Sequence, residues 1–156
     1  MIFIILWILG LIAGFITTLI DNSMRDIVSI SKNLLFYQLV ITSAFTGLFG
    51  FLGHVLRSDK TAENIGWKTG SPFQKELGSA ELGYGIAGLL CIWFKGYFWL
   101  ALIVVITPLY LGAAAVHIKE TVVKKNFKPD NAVSIIPDIL NPATLIVLSI
   151  TGGLWK

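Results

Sequence analysis

Residues 71–94 read SPFQKELGSAELGYGIAGLLCIWF, and the reading of this stretch decides the fold. Ser71, Gln74, Gly78, Glu81, Gly85 and Gly88 recur at steps of three and four, the repeat that keeps side chains on one face of an α-helix. Leu82, Ile86, Leu89, Leu90, Ile92 and Phe94 make the rest of the segment apolar. A carboxylate at membrane depth is costly against lipid, so Glu81 is expected to face the interior of a helical bundle and to find a partner there. The small residues around it let a neighbouring helix approach closely enough to supply one. At the start of the segment Ser71 is placed to cap, Pro72 to take the first helical position and Gln74 to complete a capping box.

Outward from this stretch the chain has the composition of a membrane protein. Hydrophobic residues make up 55% of its 156 positions and charged residues 13%, with a mean hydropathy of +0.78, outside the range of soluble domains. Set against about 20 residues per crossing, five apolar segments stand out, near residues 2–20, 34–56, 72–94, 97–116 and 139–155. The reading is an all-α polytopic transmembrane bundle, one domain over residues 1–156, with four long spans and a shorter C-terminal fifth. Asn141-Pro142 looks like a cap-plus-proline start for that fifth segment, which leaves a tilted or re-entrant course open. The first segment lacks a basic leader and a small-residue cleavage site, so it reads as a span rather than a signal peptide. Residues 21–33 read as a short amphipathic stretch on the surface. Lys95-Gly96 marks a tight turn between the third and fourth spans, and Pro108 is expected to bend the fourth. Cys91, the only cysteine, can form no intrachain disulfide and reads as a small packed side chain.

Charge sets the orientation. Arg57, Lys60, Lys68, Lys75, Lys119, Lys124, Lys125 and Lys128 fall on the side of the N-terminus, against Arg25, Lys32, Lys95 and Lys156 on the other. The excess of basic residues on cytoplasmic loops predicts an N-terminus in the cytoplasm and a C-terminus outside, in the cell (inner or plasma) membrane. Trp93, Phe94, Tyr97, Phe98, Trp99 and Trp155 form an aromatic belt at the outer interface. A net charge of +3 with scattered lysines gives no basic patch for nucleic acid.

Three spans repeat one design. Ser43, Gly47, Gly50, His54 and Arg57 share a face in the second, the Glu81 stripe lies on the third, and Tyr110, Ala113, His117 and Glu120 share a face in the fourth. The candidate intramembrane site is therefore His54, Glu81, His117, Glu120, Glu76 and Arg57, with Asp138 and Asn141 at the same end. Gly47, Gly50, Gly78, Gly85 and Gly88 are the candidate helix-packing positions. Such a cluster has three readings: interhelical hydrogen bonding, a proton, quinone or small-solute site, or a weak metal site of His54, His117 and Glu81 that matches no compact ligand motif. No cofactor is indicated. Trp67, set among glycines, is placed either to anchor at the interface or to cover the cluster as a lid. No phosphate loop, catalytic triad order or paired-cysteine motif occurs. The chain thus reads as a non-enzymatic component of a larger membrane assembly, its partners the bilayer, other membrane subunits or a second copy. A quinone-linked redox protein or a small-solute or proton carrier is the alternative.

The run IGWKTGSPFQKELGSAELGYGIAGLL at residues 65–90, with Gly66-Trp67, Ser71-Pro72-Phe73-Gln74, Glu76 and Glu81-Leu82-Gly83, resembles a family of uncharacterised small integral membrane proteins of bacteria and archaea. More distantly, a glycine-rich third span carrying a glutamate and followed by a helical hairpin is similar to DoxX-like four-helix membrane proteins. The closer resemblance spans residues 53–120 and implies a membrane bundle with no established activity. The DoxX-like one implies a link to quinone-coupled redox chemistry in some members.

Overall fold

The computed structural model describes residues 2–156, and all regular structure among them is helical. In chain order the helices are α1 (Ile2–Ile20), α2 (Ile27–Leu56), α3 (Ser58–Ile65), α4 (Phe73–Leu90), α5 (Tyr97–Val122), α6 (Pro129–Ala132) and α7 (Ile135–Thr151). Four stretches are long and apolar enough to cross a membrane: α1, α2, α5, and α6 with α7 taken together as Pro129–Thr151. The exception among the long helices is α4. Its 18 residues span about 27 Å at 1.5 Å per residue, and Lys75, Glu76 and Glu81 lower its hydropathy. It is held by its neighbours rather than by its own apolarity. Large side chains point outward all along the bundle, Leu19 (81% exposed), Trp93 (69%) and Val105 (65%) among them. Faces this apolar suit lipid, not water.

Several boundaries differ from the sequence reading, each for a local reason. Helix α2 starts at Ile27 rather than near residue 34, because the Asp26 carboxylate accepts from the backbone N–H of Val28 (2.9 Å) and Ser29 (3.0 Å). That cap turns most of the supposed surface stretch into helix. By contrast, Ser71 and Gln74 make no capping box at α4; the first turn there is closed by backbone bonds from Gln74 to Ser71 and Lys75 to Pro72. Asn141 and Pro142 do not begin the last helix but lie inside it, as proline can in a membrane helix whose neighbours satisfy the freed carbonyl. The turn at Gly96 is as expected, with φ +64°.

Helix α2 is the central element. It winds as a π-helix over Gln38–Ser43 and again over Leu52–Leu56, a local widening often found at functional positions. On one side it meets α1: Asn33 donates to the Gly14 carbonyl (2.8 Å), Gln38 to that of Trp7 (3.0 Å) and Thr42 to that of Leu6 (3.0 Å). On the other it lies against α4 with almost no side chain between. A Cβ at Gly47 would stand 2.5 Å from the Glu81 carbonyl oxygen, and one at Gly88 would stand 2.8 Å from the Ala44 backbone. Gly50, Gly78 and Gly85 lie along the same seam, the small-residue contact that lets helices associate in lipid.

The interior divides into two halves. Toward the 91–96 turn the core is apolar, built from Leu35, Leu39, Cys91, Trp99, Leu102, Ile103, Ile106 and Leu145. Toward the loops that follow α2 and α5 it becomes polar.

Candidate functional site

Two imidazole–carboxylate pairs occupy the polar half, drawn from four helices. His54 sits on the second π-helical turn of α2, and its Nδ1 lies 2.6 Å from Glu81 Oε2 on α4. The pair is mostly sheltered, with side-chain exposures of 19% and 11%. The seam geometry puts it there: a Cβ at Gly50 would stand 2.6 Å from the Glu81 carboxyl carbon, so only glycine leaves room for the carboxylate to reach across to α2. A contact of this length is a hydrogen bond between the imidazole and the carboxylate.

The second pair is looser. His117 on α5 faces Asp138 on α7, with Nε2 4.0 Å from Oδ2. The other nitrogen of that ring, Nδ1, lies 2.8 Å from the acceptor Asn131 Oδ1, which fixes the ring with Nε2 toward the carboxylate. Asn131 is wholly buried; its amide nitrogen donates to Thr121 Oγ1 (2.8 Å) and to the Asn126 carbonyl (3.1 Å). Trp67 closes this end. Its ring lies on His117 with centroids 5.2 Å apart, and its Nε1 donates to Asn131 Oδ1 at 3.2 Å. Trp67 is thus half-buried against the histidine of this pair.

The polar half also holds a group of hydroxyl and amide side chains. Tyr84 and Tyr110 face each other with ring centroids 6.2 Å apart. The Tyr110 hydroxyl points among Tyr84, Thr46 and Asn141 without closing a well-formed hydrogen bond to any of them. Thr46 Oγ1, Asp138 Oδ2 and both polar atoms of the Asn141 side chain are likewise buried without a protein partner. Orphaned polar atoms cost about 1–3 kcal/mol each when buried, so their grouping calls for partners that the protein's own side chains do not supply.

The sequence-derived candidates separate here. His54 and Glu81 meet directly. His117 joins neither; its partners are Asn131 and Asp138. Glu120 turns away to Lys124 at 2.5 Å. Glu76 and Arg57 are exposed: the π-helical turn at Leu52–Leu56 and the non-helical backbone of Arg57 (φ −132°, ψ 34°) break the 3.6-residue stripe before it reaches the arginine. Among the described residues no three His, Cys, Asp or Glu side chains are grouped to hold a metal ion, so His54, His117 and Glu81 do not form one ligand set. Thr46, Tyr84 and Asn131 carry no signal of their own in the sequence. Asp138 and Asn141 do, through their one-turn spacing on a helix that starts earlier than residue 139.

A helical bundle with membrane-length apolar helices around a buried acidic and imidazole cluster defines a polytopic membrane protein with an internal polar site. Within that class the chain belongs to the family of unknown function DUF6790, whose model matches residues 1–152. No curated protein and no solved structure matches it, DoxX-like or otherwise.

Proposed function

We propose that the protein is a small membrane carrier whose buried His54–Glu81 and His117–Asp138 pairs take up a proton together with a small polar solute. The observation that carries the reading is the set of orphaned polar atoms on Thr46, Tyr110, Asp138 and Asn141 in the half of the bundle that also holds two imidazole–carboxylate pairs. Imidazole exchanges protons in the neutral range, and ionisable groups within a membrane bundle are costly enough to mark proton or substrate pathways. The glycine faces that suggest contact with other subunits are occupied within the chain, by the α2–α4 seam. Those seam glycines therefore lend no support to membership of an assembly.

The proton step has a direct readout. Proteoliposomes adsorbed on a solid-supported membrane and stepped in pH should give a transient, saturable charging current absent from empty liposomes. Glu81→Gln should remove the current while circular dichroism and the melting temperature stay close to wild type. A wild-type trace indistinguishable from empty liposomes sinks the proposal. Equal loss of current and of stability in the variant favours a purely structural Glu81 instead.

The excess of lysine and arginine on the side of the N-terminus supports an inner or plasma membrane location with the N-terminus in the cytoplasm. In intact cells an impermeant maleimide should then label Lys156→Cys and spare Lys60→Cys. The reverse pattern would invert the topology.

A further inference from the structure

At the opposite end of the bundle from the histidines lies a cavity of about 670 Å³, within the ~300–1,000 Å³ range of small-molecule sites. Three elements that are remote in sequence build it: the start of α2, the turn before α5, and the segment after α7. Each brings one lysine, namely Lys32, Lys95 and Lys156, and the wall between them includes Phe36, Tyr97 and Trp99. The aromatic side is ordered. Phe36 and Trp99 have ring centroids 6.0 Å apart, and Trp99 Nε1 is fixed on the Cys91 carbonyl at 3.1 Å. The stem of Lys32 is held too, because Gly152 leaves the room its Cγ uses, 3.3 Å from where a Cβ would stand.

No acidic side chain lines this cavity. Among the described residues no Asp or Glu side chain pairs with Lys32, Lys95 or Lys156. The acidic groups of the adjoining loop are already engaged. Asp21 accepts from Ser23 Oγ (2.7 Å) and N (2.9 Å), and Asp26 accepts from Ser29 Oγ (2.6 Å) while capping α2. Hydrogen bonds from Ser23 and Ser29 hold these carboxyls below the usual range, so they remain acceptors for their own loop. Three cationic side chains lining one cavity favour an anion there. Their position beside an aromatic wall, level with the aromatic belt, is where a lipid presents its head group and the first part of its chains.

We infer that this cavity is a binding site for an anionic amphiphile, its phosphate or carboxylate head held by Lys32, Lys95 and Lys156 and its apolar part laid on Phe36, Tyr97 and Trp99. An anionic phospholipid of the surrounding membrane is the source that fits both halves. The histidine pairs lie apart from it, across the apolar core.

Native mass spectrometry of the full chain in detergent, titrated with phosphatidylglycerol or with phosphatidylcholine, tests the assignment. One phosphatidylglycerol should be retained with about tenfold or greater preference, since a lysine near an anionic surface contributes on the order of a factor of five. Replacing Lys32, Lys95 and Lys156 together by glutamine should reduce the preference to within about twofold, while replacing Lys119, Lys124 and Lys128 should leave it intact. Should the triple variant fold poorly, Lys95→Gln alone, on an exposed turn, should still weaken retention. Equal retention of phosphatidylcholine, or undiminished phosphatidylglycerol in the lysine variants, overturns the proposal. So does inorganic phosphate raising the melting temperature as much as phosphatidylglycerol, which would make the ligand a soluble anion with no apolar part.

Discussion

The side chain of Asn131 is the best-connected polar group of the molecule, and its position explains why His117 and Trp67 hold theirs. Its carbonyl oxygen accepts from both rings and its amide nitrogen reaches Thr121 Oγ1 and the Asn126 carbonyl. Truncation removes all of these at once and leaves buried donors on His117 and Trp67 without partners, each costing roughly 1–3 kcal/mol before relaxation. Asn131→Ala should therefore lower the melting temperature by several degrees and free the Trp67 ring, seen as a red shift of its emission. An unchanged melting temperature would mean that water replaces the amide at no cost. This residue is invisible to periodicity, because it lies on a single helical turn, Pro129–Ala132, before α7. Glu81 and His54 are the opposite case. An ionisable group amid glycine and leucine is conspicuous in any membrane segment.

The seam between α2 and α4 is a property of two whole elements. Gly47→Leu places a branched side chain where the Glu81 carbonyl and the Gly85 backbone already stand, 2.5 and 2.6 Å from the new Cβ. The helices must separate, at a cost of about 1–3 kcal/mol or more for such overpacking, and the His54–Glu81 contact must lengthen with them. Gly83, on the same helix as Glu81, has nothing within 4 Å. Gly83→Leu should be neutral or slightly stabilising, since leucine is the better helix former. Thermal melts of the two variants in one detergent separate the cases, and equal effects would contradict a backbone-tight seam. The seam was legible as a stripe of small residues at helical spacing. The two π-helical turns of α2 were not, because no residue type demands them. They shift the register enough to carry Arg57 off the face that Ser43, Gly47 and Gly50 share. The start of α7 was obscured for another reason: Asn141-Pro142 has the sequence of a helix start and the position of a helix interior, and only packing decides between them.

At the scale of the whole molecule the arrangement is an apolar half at one end and a polar, ionisable half at the other. The order of the long helices other than α4 follows from hydropathy, and their pairing follows from glycine and hydroxyl placement. The make-up of the polar half depends on side chains from α2, α4, α5 and α7 that share no sequence pattern. The loop after α2 and the loop after α5 are tied together at this end: Asn126 donates to the Ile65 carbonyl (2.7 Å) and Lys128 to that of Glu63 (2.5 Å), with Trp67 seated on His117. That seating has an optical consequence. An indole resting on an imidazole has that face shielded from a quencher in the water. Acrylamide should quench the Trp67 component of the emission, isolated by difference from Trp67→Phe, less in the wild type than in Asn131→Ala, and equal quenching in the two would contradict the seating. The protein thus carries its own fluorescent gauge of whether its loops are shut over His117, readable without a substrate.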